Sequence, residues 1–154
     1  MAGRTDSAAR FVAAPPERIY AALVDPEALA AWLPPAGMTG RFERFDARPG
    51  GTYRMVLTYD DASGAPGKSS MDSDVIEGRF VELVPGELVV QSGVFDSDDP
   101  AFAEPMTTTW RLSAVAGGTH VEIVAENVPD AISAEDHQAG FASSLENLER
   151  FVRS

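Results

Sequence analysis

The sequence contains no cysteine, which rules out a disulfide scaffold, a thiolate nucleophile and a thiolate metal site. Basic residues are also scarce: 12 Lys plus Arg stand against 24 Asp plus Glu, a formal charge of −12. A surface of that sign repels phosphates and excludes nucleic acid or an anionic membrane as partner. The only two histidines, His120 and His137, are too far apart for metal-ligand spacing, so no metal and no other cofactor is expected. No apolar run approaches the ~18 residues of a membrane span. The opening MAGRTDSAARF lacks the apolar centre of a signal peptide, which points to a cytoplasmic protein. What is present, 154 residues of which 44% are hydrophobic and 23% charged, suits one soluble globular domain.

Hydrophobic periodicity supplies the elements. Residues 1–8 are small and polar and are expected to form a flexible lead into a single domain over 9–154. Arg10–Ala14 reads as a short strand, stopped by Pro15-Pro16. Glu17 to Val24 carries Ile19 and Leu23 at i, i+4, the spacing of one helix face. Asp25 can cap a second helix with Pro26 at its first position, and Leu29, Trp32 and Leu33 share a face. From Thr39 the period changes to two. Arg41–Ala47 and Thr52–Asp60 are strands, the second with Tyr53, Met55, Leu57 and Tyr59 on one face. Met71–Val84 is a longer strand in which Gly78 marks an expected bulge or bend. Leu88–Phe95, Met106–Ala114 and Thr119–Asn127 complete six strands in meander order. Tight glycine turns join them, alternating with the long loops Asp61–Ser70 and Asp96–Pro105. The first strand adds a seventh at an edge. Ser133-Ala134-Glu135-Asp136 fits a capping box and opens a helix that runs to Val152. The order β-α-α-β6-α predicts an α+β domain: a curved antiparallel sheet of six to seven strands around one long C-terminal helix.

Four motifs stand along this frame. They are Pro15-Pro16-Glu17-Arg18-Ile19-Tyr20-Ala21-Ala22-Leu23 with Asp25-Pro26 and Trp32, then Arg48-Pro49-Gly50-Gly51-Thr52-Tyr53-Arg54, then Val84-Pro85-Gly86-Glu87-Leu88-Val89, and finally the run His137 to Leu148. In their order and spacing they resemble the activator of heat-shock protein 90 ATPase homologue-like (AHSA-type) family of the START-like, helix-grip superfamily (SRPBCC), with Phe141 where tryptophan is common. The resemblance implies a helix-grip fold around a cavity for a hydrophobic small molecule. It also implies that a minority of the wider superfamily act as cyclases, hydrolases or sequestering resistance proteins. Chaperone activators of the family carry an additional N-terminal region, for which 154 residues leave no room.

A sheet curled around a helix leaves a gap along that helix. The side chains expected to face it are Tyr53, Met55, Leu57, Trp110, His137, Phe141, Ser144, Leu145 and Leu148, with Trp32 and Met38 closing one side. Methionine and aromatic side chains suit an adaptable apolar pocket, although the same alternation also describes an ordinary core. An empty pocket of ~300 Å³ would cost roughly 7 kcal/mol, so a modest cavity is expected. Connections alternate between the two ends of a meander, so the long loops and His137 share one end, where the mouth is expected. Asp96, Asp98, Asp99 and Glu104 disfavour an anionic ligand there and favour a neutral or cationic one. For chemistry, His137 is the one histidine on the inner stripe and can shuttle a proton. Asp74 or Glu77 could bring a carboxylate inside, while His120 is expected to point outward. No Ser-His-Asp arrangement and no phosphate loop can be read. The primary reading is therefore binding of a small hydrophobic molecule, without defined catalysis. A cyclase- or hydrolase-type enzyme using His137 or a pocket carboxylate is the alternative. A chaperone cofactor or interaction domain, including a homodimer, is the second.

Overall fold

The computed structural model describes residues 4–34, 38–59, 73–95, 104–129 and 132–153. Strand β1 (Arg4–Val12) leads to Pro15, whose extended backbone starts α1 (Pro16–Leu23); a proline at the first helical position gives up no hydrogen bond. Asp25 accepts the Glu27 N–H at 3.0 Å and so caps α2 (Pro26–Trp32). Six strands follow: β2 (Met38–Phe45), β3 (Thr52–Tyr59), β4 (Ser73–Val84), β5 (Leu88–Phe95), β6 (Met106–Val115) and β7 (Gly118–Val128). Helix α3 (Ala134–Arg153) comes next, its start capped by Ser133, whose hydroxyl accepts the Asp136 N–H at 3.0 Å.

All strand pairs are antiparallel, in one sheet of order β1-β7-β6-β5-β4-β3-β2. This is the helix-grip arrangement, with β1 at the edge as its place in the sequence predicts. Gly50, Gly86 and Gly117 take positive φ in the tight turns at one end. At the other end lie the last residues of β3, β5 and β7. The core between sheet and helices holds Val12, Ile19, Leu23, Trp32, Phe80, Val89, Val121 and Leu148, all but inaccessible to solvent. Among the described residues no helix is long and apolar enough to cross a membrane.

Three expectations need correction. Residues 4–8 are not a flexible lead: β1 starts at Arg4 and pairs with β7 from Val128 onward. Their low hydrophobicity misleads because Asp6, and Arg10 beyond it, turn inward into polar contacts with α3, while Ala8 and Val12 on the same face pack against the core. Arg10 binds Glu149 at 2.6 and 3.0 Å, and Asp6 binds His137. The strand expected at Arg41–Ala47 runs instead from Met38 to Phe45. Gly78 is not a bulge: β3–β4 pairing is regular through Tyr53↔Gly78, and the irregularity falls between Phe80 and Glu82. The glycine answers a different need, because a Cβ there would lie 2.3 Å from the Tyr53 ring, which covers it.

Candidate functional site

Between the sheet, α2 and α3 lies a cavity of about 240 Å³. Its floor is built by alternation. On β3, Tyr53, Met55 and Leu57 point inward; on β6, Met106, Thr108 and Trp110 do the same. Phe42 of β2, Ile76 of β4, Gln91, Gly93 and Val94 of β5 and Ile123 of β7 complete the sheet side. Leu29 and Leu33 close one flank, and α3 contributes His137, Gly140, Phe141 and Ser144, spaced at three and four on one helix face.

Of the side chains anticipated from the sequence, Tyr53, Met55, Leu57, Trp110, His137, Phe141 and Ser144 line the cavity. Trp32, Met38, Leu145 and Leu148 do not. Trp32 stands behind the wall: its indole N–H donates to the Ala22 carbonyl at 3.0 Å, and its ring meets Trp110 edge-on at 5.5 Å. Met38 sits opposite Tyr59 on the outer strand β2. Leu145 and Leu148 are buried in the core, further along α3 than the cavity reaches. Residues 61–70 and Asp96, Asp98 and Asp99 lie outside the described residues; Glu104 is exposed. Glu77 faces out, holding Arg44 and Arg54 at 2.7 Å each. Asp74 stands opposite Leu57 in the ladder. His120 is exposed, as expected.

Sequence reasoning missed the β5 contribution, where Gln91 and Gly93 lack an apolar signal, and it missed Asp6. Asp6 is only 6% exposed and makes the site's main polar contact: its Oδ2 lies 2.7 Å from His137 Nδ1. Arg4 Nε donates to both Asp6 oxygens, at 2.9 and 3.0 Å, and Arg4 also binds the Ile132 carbonyl. The His137 ring rests against Phe141 with centroids 4.2 Å apart. Hydrogen bonding from Arg4, reinforced by that from His137 and opposed by burial, holds the Asp6 carboxyl below its ordinary value. Burial pushes the Tyr53 hydroxyl up to about 12, so it is a neutral phenol at all physiological pH.

The sign of the Asp6 shift gives a test. A carboxylate with a depressed value stabilises the fold above its unfolded value and loses that contribution as pH falls through the folded one. Asp6→Asn should therefore be less stable than wild type at about pH 6, with the gap narrowing once pH falls below the ordinary 3.8. Urea titrations at several pH values read this directly; a gap that stays constant into strong acid would mean the charge contributes nothing.

A dry void of 240 Å³ would cost about 6 kcal/mol, comparable with the whole stability of a domain. The polar groups on its wall (Tyr53, Gln91, Thr108, His137, Ser144) offer hydrogen-bond partners to water in that space.

A family model described as activator of Hsp90 ATPase homolog 1-like protein matches residues 13–153. Among solved structures, a protein from Chromobacterium violaceum is 39% identical, superposes with a TM-score of 0.86 and is matched over 97% of each chain. A protein from Rhodobacter sphaeroides, at 23% identity, covers 98% of this chain and 94% of its own, with a TM-score of 0.78. The AHSA1-like protein from Aeromonas hydrophila, at 19% identity, covers 97% and 92% respectively, with a TM-score of 0.72. At those lower identities the likeness is one of fold. No protein of curated function matches the chain.

Proposed function

The chain belongs to the activator of Hsp90 ATPase homologue 1-like family, and from that premise we propose that it binds a small hydrophobic molecule in the cavity between the sheet and α3, without chemistry of its own. The observation that carries this reading is the cavity itself, walled mainly by Leu, Ile, Met and aromatic side chains. Its size sets the scale of the occupant. An apolar cavity of about 150 Å³ accommodates benzene, so 240 Å³ suits one or two fused rings. Its charge sets the class. No described lining residue is Arg or Lys, so an anion would enter without a counter-ion, and a neutral or cationic molecule is favoured.

Gly140 provides the test. It sits on the α3 stripe that lines the cavity, and a Cβ built there meets no atom within 4 Å. Gly140→Leu should fill the space and, by replacing a glycine inside a helix, raise stability by about 0.5–1 kcal/mol. Naphthalene should quench Trp110 in the wild type and leave the variant's emission unchanged. Equal naphthalene affinity in the two proteins would show that the cavity is not where it binds.

A further inference from the structure

We propose that Asp6, by accepting the Nδ1 proton of His137, makes that ring's Nε2 a hydrogen-bond acceptor at the cavity wall, so that the cavity selects apolar molecules carrying one hydroxyl donor, a phenol or an enol. The inference rests on the cavity being a ligand site and deepens that reading. A carboxylate cannot donate, so the 2.7 Å contact to Oδ2 requires the proton on Nδ1. The partner of one imidazole nitrogen sets the role of the other. Among the described residues Nε2 has no hydrogen-bond partner, and the ring that bears it lines the cavity. Arg4 fixes the carboxylate from behind, and Phe141 fixes the ring plane. Tyr53, Thr108, Gln91 and Ser144, the other polar side chains on the wall, can each both donate and accept, and Ser144 already donates to the Leu33 carbonyl. In this tautomer Nε2 accepts only. A ligand hydroxyl satisfies it, whereas an ether or a bare ring leaves a desolvated lone pair unpaired, the kind of mismatch by which buried polar groups discriminate between ligands.

Asp6 is thus a positioning residue, and its replacement by asparagine has a specific consequence. Arg4 Nε–H still needs an acceptor and holds the amide oxygen, which turns the amide NH2 towards Nδ1. The ring proton then moves to Nε2, which becomes a donor.

The experiment compares dissociation constants for 2-naphthol and its methyl ether, 2-methoxynaphthalene, by tryptophan quenching. Wild type should bind the naphthol about tenfold more tightly. In Asp6→Asn the preference should fall to within about twofold while ether affinity is kept, a change that mere loosening of the fold would not produce. His137→Phe, which keeps an apolar ring and removes the acceptor, should abolish the preference in the same way and carries the test if Asp6→Asn does not fold. Equal binding of both probes by wild type, with both excluded by Gly140→Leu, overturns the inference and leaves the cavity reading standing. A full preference retained in either variant overturns it too. Failure of both probes to bind wild type overturns the cavity reading with it.

Discussion

Phe80→Ala should lower the unfolding free energy by about 3–5 kcal/mol, the largest single effect expected in this protein. Phe80 is wholly buried and touches two other rings, Phe45 at 5.5 Å and Tyr53 at 5.4 Å between centroids. Its backbone is equally committed: its N–H donates to the Gly51 carbonyl and its carbonyl accepts the Gly50 N–H, both at 2.8 Å, which ties the β2–β3 turn to β4. Truncating the ring therefore leaves a void that the pinned backbone cannot collapse to fill. The loss would take about a fifth or more of a typical domain's 5–15 kcal/mol, and a urea titration would show it. A loss below about 1 kcal/mol would mean that this aromatic cluster lies outside the cooperative core.

The second large effect couples stability to ligand capacity. Gly78→Ala places a Cβ 2.3 Å from Tyr53 Cζ and 2.4 Å from its hydroxyl oxygen, well inside van der Waals contact. Tyr53 must swing away, and the open direction is the cavity it lines. Overpacking of this kind costs about 1–3 kcal/mol. A phenol ring in the cavity should also cut naphthalene affinity more than tenfold, since the cavity has room for little else. A crystal structure of the variant would show the ring displaced; unchanged affinity with a merely destabilised fold would mean the strain is relieved through the backbone instead.

Much of this was legible in the sequence because burial on one face imposes a period. The alternation Tyr53-Met55-Leu57, with Trp110, located part of the cavity floor, and the stripe on α3 located its roof, whereas Met106 and Thr108 beside Trp110 on β6 were not anticipated. Period, however, fixes direction and not depth. Leu145 and Leu148 share a helix face with His137 and Phe141, yet they lie beyond the cavity's reach, and only the three-dimensional path of α3 separates the two groups. The ion pairs of β1 left no apolar signal at all. Arg4, Asp6 and Arg10 alternate inward as faithfully as any leucine, but a rule that seeks hydrophobic residues inside reads them as surface. Gly78 was misread for a related reason: a glycine in a strand advertises missing bulk without saying whether the backbone bends or a neighbour's ring takes the space.

The fastening of β1 to α3 also bears on how the molecule is made. Asp6 and His137 are 131 residues apart, and Arg10 and Glu149 are 139 apart. At a ribosomal rate of about 5–20 residues per second, the first strand waits on the order of ten seconds before its helical partner exists. Through that interval the meander emerges with its apolar floor uncovered, and its first strand has nothing to pair with until β7 is made. The nascent chain is therefore most exposed to aggregation over the very surface that later becomes the cavity wall. The cavity itself does not exist until the helix that bears His137 has left the ribosome.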